Sequence, residues 1–132
     1  MRLLVLITFG FAICPHLSAG ENWPGFRGDG SSTTTLTDLP LKWSATDGVA
    51  WRAKLAGFGQ SSPVIWGERL YVTSTAGSNK EQLFIQAFDP KSGAELWTKS
   101  FPATQKAAEV SDMISRGAPT PVADAAGVCA FF

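Results

Sequence analysis

The stretch Ala87–Trp97, "AFDPKSGAELW", limits the fold more than any other part of the chain. It ends an apolar run with Asp, Pro, Lys, Ser and Gly in one cluster, then places a Trp four residues after the Gly. Each of these residues has a physical task in a tight turn. Asp89 can accept hydrogen bonds from backbone N–H groups within the turn, Pro90 presets its own φ, and Gly93 supplies a positive φ. Ala87 is small where another element must come close. Trp97 projects from the returning strand with a broad ring and one N–H donor, suited to lie on the turn of a neighbouring unit. The cluster reads as a docking device between sheets. That place in the turn accounts for Asp89 better than a role as a calcium ligand does.

Around this turn the chain is a series of short apolar runs with turn residues between them. "SSPVIW" passes through Gly67-Glu68 into "RLYVTST", and "QLFIQAF" passes through "DPKSG" into "AELWTKSF". β-Branched and aromatic residues with period-2 alternation predict a four-stranded antiparallel meander over Ser62–Trp66, Arg69–Thr75, Gln82–Phe88 and Ala94–Phe101. "VAWRAKL", Val49 to Leu55, alternates in the same way and predicts a further strand. "QKAAEVSDMIS", Gln105 to Ser115, carries Ala107, Val110, Met113 and Ile114 at helical spacing and predicts a short helical connector, confined by Pro102 and Gly117. Its acidic residues Glu109 and Asp112 read as a solvated face.

Two segments precede the strands. Residues 1–20, "MRLLVLITFGFAICPHLSAG", place Arg2 before an apolar run from Leu3 to Ile13, with Pro15 and small residues following. That is the layout of a secretory signal peptide, too short to span a bilayer, with cleavage expected after Ala19 or Gly20. A lipid anchor at Cys14 fits less well, because Ile13 is large where such leaders need a small residue. Residues 21–48 are rich in Gly, Ser, Thr, Pro and Asp and read as an irregular arm, held to a surface by Trp23, Phe26 and Trp43. Arg27-Gly28-Asp29 matches a cell-adhesion tripeptide, but three residues in so Gly-rich a loop assign no function.

Charge and cysteine content exclude several classes. Of the eleven basic residues only Arg2 lies in the leader, which leaves ten against eleven acidic ones, scattered singly. Neither a nucleic-acid footprint nor a polybasic membrane patch is present. Beyond the leader there is no histidine, so a Ser-His-Asp arrangement is out of reach of this segment. Zinc spacings, an EF-hand loop and a phosphate-cradling Gly-rich turn are equally missing. Cys129, the one cysteine outside the leader, sits in the apolar run "GVCAFF" and reads as a small buried hydrophobe.

The chain also echoes itself. "SPVIWGERLYV" (Ser62 to Val72) matches "TPVADAAGVCA" (Thr120 to Ala130) at an offset of 58, and "VAWRAKL" matches "ELWTKSF" at an offset of 46, setting Trp51 against Trp97. A period in the mid-forties built from four short strands is the size of a propeller blade.

With its pattern A-x-D-x-x-[T/S]-G-x-x-x-W, the stretch Ala87–Trp97 resembles the tryptophan-docking motif of β-propellers with quinoprotein (PQQ-like, BamB-like) repeats. Ser92 stands where Thr is commoner. "GFGQSSPVIWGERLYVTS" looks like the opening strands of such blades, and "NWPGFRG" resembles the N-terminal segment of exported bacterial propellers. The resemblance covers about 49–132 and implies an all-β fold, a β-propeller with four-stranded antiparallel blades. A first blade is expected at about 60–101, with part of a second from about 117. "VAWRAKL" would then complete the outer edge of the last blade. Four or more blades of roughly 45 residues need at least about 180 residues, so the chain is expected to be the N-terminal piece of a longer protein.

As to function, the resemblance implies an exported module in the bacterial cell envelope, periplasmic or extracellular, that binds or scaffolds a protein partner. The alternative it implies is the N-terminal part of a PQQ- and calcium-dependent dehydrogenase. Such enzymes hold quinone and calcium near the propeller axis, with an Asp base and an adjacent Cys-Cys pair over the cofactor. No Cys-Cys pair occurs in this chain, and no residue matches the base. Gln60, Ser61, Ser62 and Arg116 precede the first strands of two blades, positions that open onto the funnel face, and are the expected binding surface.

Overall fold

The computed structural model describes residues 22–105, 113 and 115–132. The leader reading lies outside the described residues. So does the helical reading of Gln105 to Ser115, apart from Gln105, Met113 and Ser115 themselves. Among the described residues the chain is all-β, with one four-stranded and one two-stranded antiparallel sheet. None of them forms a helix long and apolar enough to cross a membrane.

The larger sheet is a meander of β1 (Val64–Trp66), β2 (Arg69–Ala76), β3 (Gln82–Phe88) and β4 (Glu95–Pro102), paired in chain order. The four strands expected for the meander are all present, with ends shifted by no more than two residues. Tight turns join β1 to β2 and β3 to β4, and antiparallel pairing follows from such short connections. The smaller sheet is a hairpin of β5 (Val122–Asp124) and β6 (Gly127–Cys129), whose turn is held by Asp124 Oδ1 accepting from the N–H groups of Ala126 and Gly127.

Register explains the core. Val64 pairs with Tyr71, Tyr71 with Ala87, and Ala87 with Trp97, so these four residues form one row across the sheet. Ala87 is fully buried and small, which lets Tyr71 and Trp97 meet over it, their ring centroids 5.9 Å apart and their planes tilted by 49°. Tilted pairs at this distance suit the aromatic quadrupoles. Ala123 of β5 closes on the row, with Trp66 and Val128 packed at its margin. The core therefore lies between the two sheets, at the β1–β5 side.

Three expectations need correction. Val49–Leu55 forms no strand, although its alternation is real: Trp51, Ala53 and Leu55 are half-buried while Arg52 and Lys54 are exposed. Its side chains, not a ladder, fix it in place. Cys129 is exposed rather than buried. In β6 it is Val128 that turns to the core, and a period of two puts both its neighbours outward. Of the arm's three aromatics expected as anchors, Trp23 alone acts as one. Its backbone exchanges two 2.8 Å hydrogen bonds with Ile65, and the Pro24 carbonyl accepts from Ala123 N–H. Phe26 and Trp43 remain 65% and 70% exposed.

Candidate functional site

The Asp89–Gly93 turn is built from its own backbone. Gly93 N–H donates to the Asp89 carbonyl at 2.8 Å, and Asp89 N–H donates to the Ala94 carbonyl at 2.9 Å. Asp89 Oδ1 accepts from Lys91 N–H at 2.7 Å and Ser92 N–H at 3.0 Å. Those two donors, Ser92 foremost, hold its carboxyl below the usual carboxylate value. Gly93 has φ 71°, the conformation that a side chain disfavours.

An indole lies on this turn, and it belongs to Trp51. Its Nε1–H donates to the Pro90 carbonyl at 2.9 Å, and its ring covers Gly93 so closely that a Cβ there would collide with Trp51 Cε3. The ring thus satisfies a turn carbonyl and shields a bare stretch of backbone in one contact. Further along the same segment, Ala56 N–H donates to Gln86 Oε1 at 2.8 Å. Gln86 is buried, and its Nε2 donates to Glu95 and Thr98, each at 3.1 Å. The segment between residues 51 and 56 is therefore clamped at both ends.

Of the residues expected to dock, Asp89 and Gly93 form this turn, whereas Ala87 lies in the buried row beneath Tyr71 and Trp97. Trp97 does not lie on the turn: its ring rests on Tyr71, with Lys99 Nζ 5.6 Å from the ring centroid. The sequence reading did not assign Trp51 or Gln86 to the clamp. The offset of 46 that sets Trp51 against Trp97 was the signal for the first. No local pattern marked Gln86.

Gln60, Ser61 and Ser62 meet a second feature, a seam of polar groups between β2 and the segments leading into β1 and β5. Gln60 Oε1 accepts from Ser115 N–H at 2.9 Å, and its Nε2 donates to the Met113 carbonyl at 3.0 Å. Ser61 Oγ accepts from Thr73 N–H at 3.2 Å, and Ser62 N–H donates to Thr120 Oγ1 at 3.1 Å. Thr73 Oγ1 donates to the Gly117 carbonyl, while Thr75 Oγ1 and Ser115 Oγ lie 3.1 Å apart. Arg116 turns away from this group, and its Nη1 donates to the Gln105 carbonyl at 3.1 Å. Gln60 is exposed and the two serines are half-buried, so the seam reaches the surface at Gln60.

Among the described residues no cluster of three or more His, Cys, Asp or Glu side chains has the arrangement to hold a metal ion. The sequence carries no adjacent Cys-Cys pair. Compared with protein-family models, with curated proteins and with solved structures, the chain gives no match.

Proposed function

We propose that this chain is an exported repeat module of the propeller type, acting in the bacterial cell envelope as a platform that binds or scaffolds another protein. The observation that supports the reading is the Trp51 clamp: an indole lying on the D-x-x-S-G turn, with its N–H on the turn carbonyl. Trp97 stands at the equivalent place one period later, and the reading gives it the same partner, a glycine turn of a following blade. The surface offered to a partner is the end of the seam at Gln60, with Ser61 and Ser62 beside it. Scaffolding rather than catalysis is favoured by chemistry. The carboxylates best placed for a role, Asp89 and Asp124, are engaged by N–H groups of their own turns.

The test uses the full reading frame, expressed with its leader. A photo-crosslinking residue is placed at Gln60 and, because Gln60 also bonds Ser115, at the neighbouring exposed Pro63. Leu96 on β4 serves as the control site. A discrete adduct to one envelope protein from positions 60 and 63, and not from 96, is the expected result. Adducts from none of the three, or export failing altogether, would overturn the platform reading. Dye reduction dependent on added quinone and calcium would replace it with the dehydrogenase.

A further inference from the structure

We draw no further inference here: the strongest candidate, the apolar groove of about 690 Å³ between the Pro24–Gly30 turn and the β5–β6 hairpin, rimmed by Phe26, Val122 and Cys129, is an unpartnered face, and nothing in the structure shows what covers it.

Discussion

The four-stranded sheet is held on two sides by opposite means. Toward residues 51–56 the contact is gathered onto one large ring and one buried amide, Trp51 and Gln86. Toward the segments before β1 and β5 it is spread over small hydroxyls: Ser61, Thr73, Thr75, Ser115 and Thr120. A ring brings apolar area and shape, so its loss is felt at once. A hydroxyl network shares its load, because Thr73, Thr75 and Ser115 each have a second acceptor in reach. Ser115 Oγ, for example, lies within reach of the Phe58 carbonyl at 3.2 Å as well as of Thr75. The clamp should thus fail through single substitutions and the seam only through several.

Replacing Trp51 with Ala should produce the largest effect, about 3 kcal/mol of stability, near the lower end for loss of a large aromatic because the ring is half-buried. Urea denaturation gives the number. Trp51→Phe keeps the apolar cover but leaves the Pro90 carbonyl without its donor, and should cost about 1 kcal/mol. If both changes move the urea midpoint by less than Thr75→Val does, the contrast between clamp and seam is wrong.

Next comes Gly93→Ala, which acts on the same contact from the turn side. A positive φ costs a non-glycine residue about 1–2 kcal/mol, and the new methyl must also displace the ring. The expected loss is about 2 kcal/mol. In the Trp51→Ala background it should shrink to the backbone part alone, so a double-mutant cycle separates strain from collision. A cycle that closes with no coupling would mean that ring and turn do not depend on each other.

What was legible beforehand follows the same division. The strands and the Asp89–Gly93 turn could be read because period-2 alternation and turn chemistry are local. Val49–Leu55 shows the limit: which side chains face inward was readable, whereas a ladder needs a partner strand, which the segment's own sequence does not specify. The run "GVCAFF" is apolar at nearly every position, so composition hides the alternation that turns only Val128 inward and leaves Cys129 exposed. Phe26 and Trp43 were misjudged for a related reason, since an aromatic residue in a loop carries no mark of what it will lie against. The seam went unseen because Thr73, Ser74 and Thr75 look, in sequence, like ordinary strand residues. Gln86 likewise sits in a plain strand run, and only the fold brings Ala56 to it.

On the seam side, Thr75→Val removes one hydroxyl while keeping the shape. It should cost about 1 kcal/mol, since Ser115 retains the Phe58 carbonyl as partner. Changing Thr73 and Thr75 together should cost more than the two single changes combined, because the network then runs out of alternatives. Simple additivity would show that the hydroxyls act separately and do not share load.

Acid distinguishes the two sides more gently, because hydroxyls do not titrate in this range and Asp89 does. Its carboxyl is held below the ordinary value of 3.8 by the Ser92 and Lys91 N–H groups, so the folded state favours the ionised form. The stabilisation is therefore complete above the unfolded value and is lost as pH falls through the lower, folded one. Stability measured between pH 6 and pH 2 should decline at the acid end, and Asp89→Asn should flatten part of that decline. An unchanged profile in the variant would remove Asp89 from the account of the clamp.

Ser74→Ala is expected to have the smallest effect, and its sign is informative. Ser74 is fully buried, and among the described residues its Oγ has no hydrogen-bond partner, although it lies between two threonines that are both bonded. Period 2 is the reason: Thr73 and Thr75 face the seam and Ser74 faces the opposite side, in register with Phe84. A buried hydroxyl without a partner costs free energy, so its removal should leave stability unchanged or raise it by up to about 1 kcal/mol. A clear loss on Ser74→Ala would mean that the hydroxyl has a partner after all, and that polar bonding reaches both faces of β2. The division between an aromatic side and a hydroxyl side would then fail at the strand where it is drawn most sharply.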